Sequence, residues 1–284
     1  MITLGDNIGV NPVSKTMAQA GITLTWRAVT HQGLMRQHNE DSLCVEVDNK
    51  IGHASRFLFV VADGLGGHGG GDVASRLALN SVRNEFLGWN GSPADRLLDR
   101  ALRNANGEVF GEAQSHPEYS KMQTTMTAVI VEQGSLTVGH VGDCRLYRAR
   151  EGHVEILTKD HSMANELLRL HMISPEQAET HPGRHQLVRS VGGEPFLRTD
   201  IVRENVISGD MYLLCSDGLW GQVTPDDIKS AMGENNADLV CERLVRKALK
   251  TGAPDNISAI SFRVTATDKK AAAPLSLRGL LHRR

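Results

Sequence analysis

The sequence has few cysteines, few aromatic residues and no long apolar run. Its four cysteines (Cys44, Cys144, Cys215 and Cys241) show no C-x-x-C spacing, so neither a zinc site nor a disulfide framework is indicated. No apolar stretch reaches the ~18 residues that a membrane-spanning helix needs, and the N-terminus lacks a signal-peptide pattern. We therefore expect a cytoplasmic protein with reduced cysteines and no membrane span.

An excess of positive charge is also missing. The formal net charge is −2 at pH 7, whereas nucleic-acid-binding proteins usually carry a basic surface. Aromatic residues make up 4% of the chain, which leaves few rings on which unpaired bases could stack. We therefore expect no nucleic-acid partner.

A single large domain is predicted. The chain has 284 residues, and no Pro/Ser-rich linker interrupts the region 23–265. Residues 1–22 are polar and aperiodic and are predicted to form a flexible leader. Residues 266–284 carry basic side chains without a core pattern and are predicted to form a disordered tail.

Apolar periodicity predicts an α+β fold. Helical spacing over 72–89 and 93–115, with Ser92 as N-cap of the second, predicts two helices with no strand between them. Later helices are predicted from Thr224 and over 238–250. Predicted strands cover 23–29, 43–47, 57–62, 126–131, 136–141, 144–149, 154–157, 206–215 and 256–264. This order favours two antiparallel sheets with paired helices over a parallel doubly wound sheet.

The segment 162–185 has a different character from the strands and helices around it. It is polar and rich in histidine, and Pro175 and Pro182 interrupt it. Ser174 before Pro175 is typical of a helix start. We interpret the segment as a mobile insertion that lies over another part of the molecule.

Four aspartates stand next to predicted buried strands. Asp63, Asp143 and Asp217 each follow such a strand, and Asp255 precedes one. Strands of one sheet can bring their terminal carboxylates to one point, where several remain ionised only if cations neutralise them. An all-oxygen site suits magnesium or manganese. The sequence therefore predicts a multi-metal hydrolase.

The glycine-rich segment after Asp63 admits more than one interpretation. Its sequence, Gly64-Leu-Gly66-Gly-His-Gly69, fits the dinucleotide-binding pattern G-x-G-x-x-G. Asp63 would repel a pyrophosphate, however, and the next predicted helix leads to another helix rather than to the strand of a βαβ unit. A plain flexible turn is a second interpretation. We favour a turn that lets the backbone approach a metal, because glycine removes the steric block.

Six short motifs in a fixed order give the chain a family resemblance. They occupy 36–41, 61–64, 124–127, 141–143, 215–218 and 255–256. Over about 23–264 the series resembles the metal-dependent protein phosphatases, the type-2C serine/threonine phosphatases, in their compact bacterial form. The resemblance implies a β-sandwich of two antiparallel sheets flanked by pairs of α-helices (α-β-β-α). It also implies hydrolysis of phosphoserine and phosphothreonine in proteins.

The resemblance assigns metal ligands among the acidic residues. Asp63 is expected to bridge two manganese or magnesium ions, and Gly64 to contribute its backbone carbonyl. Asp217 and Asp255 are expected to hold the first metal. Two divalent ions ~3.5–4 Å apart can lower the pKa of a water held between them, so no cysteine nucleophile is required.

The remaining expected site residues surround this pair of metals. Glu40 is expected to hold the second metal, and Asp41 to support its waters. Arg36 is expected to grip the substrate phosphate, since its planar fork donates two parallel hydrogen bonds. Asp143, together with Asp217, matches a weaker third-metal site of bacterial relatives.

Two positions depart from the family pattern. Leu65 stands where some eukaryotic members carry a histidine proposed as general acid, so a metal-associated water or one of His38, His68 and His161 has to serve instead. Cys144 stands where many relatives have serine, and this could make the site sensitive to oxidation. The resemblance also identifies 162–185 as the family's flap, the expected seat of substrate choice.

The leading hypothesis is a monomeric protein phosphatase that opposes a bacterial serine/threonine kinase and acts on phosphorylated proteins. A phosphate-binding pseudoenzyme is disfavoured because every acidic ligand of the pattern is present. A phosphatase of small molecules and an RNA nuclease are two further hypotheses. Near-neutral charge and the scarcity of aromatic residues disfavour the nuclease.

Overall fold

Twelve strands and seven α-helices form the part of the chain that the structure, a computed structural model, describes: residues 13–19, 22–48, 56–67 and 70–267. The strands are β1 (Val13–Gln19), β2 (Ile22–His31), β3 (Asp41–Asp48), β4 (Arg56–Leu65), β5 (Gln123–Thr124), β6 (Met126–Glu132), β7 (Ser135–Val141), β8 (Arg145–Arg150), β9 (His153–Ile156), β10 (Asp200–Asn205), β11 (Met211–Cys215) and β12 (Ile257–Thr267). The helices are α1 (Gly70–Leu87), α2 (Ala94–Ser115), α3 (Met163–Arg169), α4 (Pro175–Thr180), α5 (Asp217–Trp220), α6 (Pro225–Met232) and α7 (Ala237–Lys250). Short 3₁₀ turns cover Pro117–Tyr119 and Pro182–His185.

The strands form two antiparallel sheets. The first has the order β1-β2-β12-β11-β8-β9 and the second β10-β7-β6-β4-β3, with β5 paired to the end of β4. Helices α1 and α2 pack on the second sheet, and α6 and α7 pack on the first. The predicted α-β-β-α sandwich is therefore confirmed, and in the described residues α1, which comes after the glycine-rich segment, is followed by α2 and not by a strand.

Strand β4 shows why this layered arrangement suits the sequence. Its apolar run is buried on both faces, because successive side chains point to opposite sides of a sheet. Leu58 and Val60 pack in the core under α1 and α2, whereas Phe57 and Phe59 pack in the core between the sheets. Phe59 stacks on Phe262 of β12 with ring centroids 4.3 Å apart, which joins the two sheets.

Two predictions near the first elements are wrong. Val13–Gln19 belongs to the predicted leader, yet it pairs with β2 as an edge strand. Edge strands often carry polar or charged side chains, which protect their unpaired backbone edge. Helix α2 has Pro93 rather than Ser92 as its N-cap, with no side-chain cap hydrogen bond. The other leader residues, 1–12 and 20–21, lie outside the described residues, as do 268–284 of the predicted tail.

Other elements have no clear signal in the sequence. Strand β10 is polar and lies at a sheet edge, and α5 is too short to show a helical period. Strand β11 covers only the second half of the predicted 206–215. The other predicted strands and helices are confirmed to within a few residues of their ends.

The segment 162–185, here called the flap, is mostly helical. It contains α3, α4 and the 3₁₀ turn Pro182–His185, and an isolated bridge between Ser162 and Leu187 closes its base. Ser174 forms a capping box with Gln177 at the start of α4, as its sequence predicts. None of the helices in the described residues is long and apolar enough to cross a membrane.

Candidate metal centre

Strand ends bring the acidic side chains together at one edge of the sandwich. Asp41 is the first residue of β3 and the register partner of Asp63 near the end of β4. Asp217 begins α5 just after the end of β11, and Asp255 lies just before the start of the neighbouring strand β12. Asp143 lies in the turn that leads from β7 of one sheet to β8 of the other. Both sheets therefore contribute carboxylates to the same place.

These carboxylates lie close enough to perturb one another. Burial, together with repulsion from Asp41, Asp217 and Asp143, raises the pKa of Asp63 well above its ordinary value. Burial and the charge of Asp217 raise the pKa of Asp143 in the same way. Burial also raises the pKa of Asp41 to about 7, although the hydrogen bonds that its carboxylate accepts from serine hydroxyls oppose the shift. Bound cations would remove the cost of this clustered negative charge.

Two buried carboxylate oxygens at the site have no hydrogen-bond partner among the described residues. They are Oδ1 of Asp41 and Oδ1 of Asp217. The other oxygen of Asp41 accepts a hydrogen bond from the Ser216 hydroxyl at 2.9 Å. Unpaired buried oxygens are costly unless a cation or water satisfies them. Carboxylate oxygens of this kind fit magnesium or manganese.

The Thr124–Thr125 motif holds the backbone of Asp63. The Asp63 N–H donates to Thr125 Oγ1 at 3.1 Å, and the Thr125 N–H donates to the Asp63 carbonyl at 2.8 Å. Both threonines are buried. This pair of contacts explains why a Thr-Thr motif accompanies the aspartate although no metal role is expected for it.

The glycines after Asp63 allow close backbone packing. A Cβ at Gly64 would lie 2.1 Å from the Gly71 carbonyl oxygen, and a Cβ at Gly71 would lie 2.8 Å from Glu40 Cδ. Larger residues would push the β4–α1 connection away from Glu40. The close approach in this structure is one of backbone to backbone and to Glu40, and the approach to a metal stays a prediction. Gly69 lies outside the described residues.

Asn256 organises the loop that carries Arg36 and Glu40. Its amide nitrogen donates to the carbonyls of Gln32 and His38 at 2.7 and 2.9 Å. Its amide oxygen accepts from the Glu40 N–H at 2.8 Å. The sequence motif contained Asn256, but its positioning role becomes visible only from these contacts.

Arg36 lies beside a predicted metal ligand. Its Nη2 donates to Asp255 Oδ2 at 2.7 Å, and its side chain is 49% exposed. Burial lowers the pKa of Arg36, but the hydrogen bond and charge of Asp255, with Glu40 and Asp63 adding to them, outweigh this and raise the pKa. The guanidinium is therefore charged, directed at the carboxylates and accessible from solvent.

Sequence reasoning missed one histidine at the site. His185, at the end of the flap, places Nδ1 3.6 Å from Asp217 Oδ2. Together with Asp143, these residues form the group of possible metal ligands found among the described residues, with ligand atoms within 4.8 Å of one another. Only the density of histidines in 162–185 could have pointed to it.

Two of the three histidines suggested as general acids, His161 and His38, lie in different surroundings. His161 is buried, and its Nδ1 accepts from the Gly142 N–H at 3.0 Å while its Nε2 lies 3.3 Å from Asp200. Burial lowers its pKa, and the contacts of both ring nitrogens with Gly142 and Asp200 favour a structural role for His161. His38 is exposed, and the structure records only its backbone carbonyl in a contact at the site. His68 lies outside the described residues.

Cys144 is shielded rather than reactive. Its side chain is fully buried, and its Sγ lies 3.1 Å from Thr125 Oγ1. Burial, followed by the charges of Asp63 and Asp143, raises the pKa of its thiol well above the ordinary value. Oxidation requires an accessible thiolate, so the structure argues against the predicted sensitivity.

Comparison with known proteins relates this arrangement to one family. The family described as "Protein phosphatase 2C" matches residues 35–256. The Mycobacterium tuberculosis protein named "Serine/threonine protein phosphatase PstP" is 32% identical over 259 residues, which cover 91% of this chain and 48% of that protein. This chain thus spans about half the length of that relative. The "Serine/threonine phosphatase stp" of Listeria monocytogenes is 32% identical over 248 residues, 84% of this chain and 96% of the relative.

Solved structures show the same architecture. The crystal structure of the M. tuberculosis phosphatase PstP/Ppp matches with a TM-score of 0.77 and 31% identity, covering 85% of this chain and 99% of that one. The catalytic domain of PstP in complex with 2 manganese ions matches with a TM-score of 0.75 and 30% identity, covering 87% and 100%. The family match at 35–256 includes every carboxylate of the cluster.

Proposed function

The chain belongs to the protein phosphatase 2C family, and we propose that it hydrolyses phosphoserine and phosphothreonine in proteins with two to three divalent metals. The observation that carries the proposal is the convergence of buried carboxylates from both sheets. Burial and mutual repulsion raise the pKa values of Asp41, Asp63 and Asp143, and cations would offset that cost. The names of the relatives and the two manganese ions of one of them support the assignment.

We assign the metal ligands by the family resemblance. Asp63 would lie between two metals, Asp217 and Asp255 would hold the first, and Glu40 would hold the second with Asp41 beside it. The Gly64 carbonyl and Asp143 would complete the set. When bound, the metals supply Lewis acidity, which lowers the pKa of a water held between them and offsets charge on the phosphoryl oxygens.

The remaining residues position these ligands and the substrate. Thr125 fixes the backbone of Asp63, and Asn256 fixes the backbone of Glu40. Arg36 orients the phosphate, because a monoester offers two oxygens to its fork. Its contact with Asp255 holds the guanidinium at the entrance until a phosphate accepts the same hydrogen bonds.

Substrate choice belongs to the flap. A groove of about 810 Å³ runs between the flap, β9 and α6, with Leu168, Ile156 and Ile228 among its lining residues. It reaches the carboxylates through Trp220, whose Nε1 donates to the Asp143 carbonyl at 2.9 Å. The polypeptide that flanks the phosphorylated residue lies in this groove, so changes in its lining alter which phosphoproteins are accepted.

The proposed physiological role is to oppose a bacterial serine/threonine kinase, whose products are the substrates of this reaction. Cys44, Cys144, Cys215 and Cys241 are all buried free thiols. Free cysteines are typical of the reducing cytoplasm, so this setting fits the proposed role.

Phosphate release from a phosphothreonine peptide tests the proposal. We expect turnover that requires manganese, that EDTA abolishes, and that a second addition of manganese restores. A phosphotyrosine peptide and nucleotides serve as controls for substrate class. Activity that survives exhaustive chelation, or a preference for nucleotides, would overturn the assignment.

A further inference from the structure

A histidine of the flap reaches the outer side of the carboxylate cluster. His185 ends the 3₁₀ turn Pro182–His185, and its Nδ1 lies 3.6 Å from Asp217 Oδ2. One ligand atom from each of Asp143, His185 and Asp217 lies within 4.8 Å of the others. Ligands bound ~2.1–2.3 Å from one divalent ion lie at most ~4.6 Å apart. The three side chains therefore need only a small movement to share one ion.

The structure holds the imidazole in this position. Its ring stacks on Trp220 with centroids 5.5 Å apart and planes 14° apart. Trp220 in turn donates to the Asp143 carbonyl. Asp143 is 3% exposed, and Asp217 Oδ1 is buried without a hydrogen-bond partner in the described part of the chain. One oxygen of the Asp217 carboxylate thus lacks a partner, and the other, Oδ2, lies 3.6 Å from the ring nitrogen of His185, a gap that an ion can fill.

One hydrogen bond has to break before His185 can bind a metal ion. The Arg184 Nε–H donates to His185 Nε2 at 2.9 Å. A cation on Nδ1 requires the ring proton on Nε2, which would then face another donor. Arg184 is exposed, so its side chain can turn into solvent.

We propose that His185 is a protein ligand of an outer metal held by Asp143 and Asp217, and that the ion thereby fastens the flap to the sandwich. This inference rests on the proposed function only in treating that aspartate pair as a metal position. Imidazole suits transition ions, whereas magnesium prefers oxygen ligands and keeps its waters. The outer position therefore favours manganese over magnesium more strongly than two carboxylates alone would.

Calorimetric titration of the metal-stripped full chain with Mn²⁺ and with Mg²⁺, without substrate, tests the ligand. His185→Phe keeps an aromatic ring on Trp220 but removes both nitrogens, and His185→Asp restores an oxygen ligand. In His185→Phe we expect two tight manganese sites to remain while outer-site affinity falls at least on the order of tenfold, a loss that even indirect partners of a metal produce. His185→Asp should bind the outer ion with a smaller preference for manganese over magnesium.

Two further measurements do not depend on affinity. Pulsed electron paramagnetic resonance of the manganese-loaded protein should show imidazole nitrogen coupling that is lost in His185→Phe. Hydrogen exchange of the flap amides should slow on addition of manganese in the wild type and not in that variant. His153→Phe, an exposed position on β9, is the matched control and should behave as the wild type.

The outcomes separate this inference from the proposed function. Three results would each overturn the role of His185, even in an active phosphatase. They are unchanged outer-site binding in His185→Phe, absence of an outer manganese in the wild type, and absence of nitrogen coupling. Metal binding that depends on His185 in a protein without phosphatase activity would support this inference and refute the proposed function.

Discussion

Asp63 occupies the most constrained position in the carboxylate cluster. Thr125 fixes the backbone of Asp63 through hydrogen bonds to both its N–H and its carbonyl. Its side chain is surrounded by other carboxylates, which raise its pKa together with burial. The same charge that would bind metals therefore destabilises the metal-free protein. Function and stability make opposite demands on this residue.

The substitution Asp63→Asn should lower the activity and raise the stability of the metal-free protein. Activity should fall at least on the order of a hundredfold to a thousandfold, the effect of removing one electrostatic contact at a reacting centre. The unfolding midpoint in EDTA at neutral pH should rise, because a repelled buried charge is gone. Phosphate release and thermal melts measure both, with the more exposed Asp72→Asn as control. Near-wild-type turnover would rule out the bridging role.

Arg36 should act mainly on substrate binding. A residue that holds phosphate in the ground state and the transition state alike changes KM more than kcat. For Arg36→Ala we expect KM for a phosphothreonine peptide to rise on the order of tenfold or more, as expected for loss of a charged hydrogen bond. Steady-state kinetics measure this change, and Arg76→Ala on the exposed face of α1 provides the control. An unchanged KM would make Arg36 a surface residue.

At the scale of elements, the loop between β2 and β3 depends on its contact with the start of β12. Asn256 bonds to three backbone groups of this loop. Gly33, with φ +81°, packs so closely that a Cβ there would lie 2.2 Å from the Asp255 carbonyl oxygen. The loop that carries Arg36 and Glu40 is therefore part of the framework and not a free surface segment.

Loss of these contacts should affect stability and activity together. Asn256→Ala leaves one N–H and two carbonyls without their partner, which should lower the free energy of unfolding by ~1–3 kcal/mol. Activity should fall as well, because Glu40 and Arg36 lose their fixed backbone. Asn256→Asp keeps the acceptor for Glu40 but turns a carboxylate towards two carbonyls, and it should be no more stable than the alanine variant. Urea denaturation with wild-type stability for Asn256→Ala would contradict this role.

At the scale of the whole molecule, the two sheets bring carboxylates that repel one another together at the site edge. Asp41 and Asp63 belong to the second sheet, whereas Asp217 and Asp255 flank strands of the first. Apolar packing between the sheets, with Phe59 stacked on Phe262, offsets this repulsion. Metals should therefore contribute to stability as well as to chemistry.

In the metal-free protein, the free energy of unfolding should fall as pH rises. Burial raises the pKa of Asp41 to about 7, compared with ~3.9 for an unfolded aspartate. Below the pKa of the unfolded state, Asp41 is protonated in both the folded and the unfolded protein, and its burial carries no electrostatic cost. This cost grows as pH rises towards the pKa of the folded state and then levels off. In EDTA, the free energy of unfolding should therefore fall between about pH 4 and about pH 7. Urea denaturation across this range measures it, and manganese should flatten the slope; a slope of opposite sign would contradict the raised pKa.

The sequence by itself determined the elements with strong local periodicity and the residues at their ends. Strand β4 was predictable from its continuous apolar run and helix α7 from its 3.6-residue spacing, because both are local properties of the sequence. Asp63, Asp143, Asp217 and Asp255 could be singled out because each adjoins an apolar run. The polar edge strand β10 has no such pattern, and Pro93 displaces Ser92 as N-cap only in the folded backbone.

Only the tertiary structure decided which distant residues meet. His185 reaches Asp217 because the flap folds back over the site, and no spacing in the chain encodes that distance. Asn256 became a positioning residue through three contacts with a loop far away in sequence. Cys144 is shielded because the folded core buries it, and burial with the nearby carboxylates raises the pKa of its thiol. Periodicity reports how one segment repeats along itself, whereas proximity, burial and pKa arise from the packing of segments against one another.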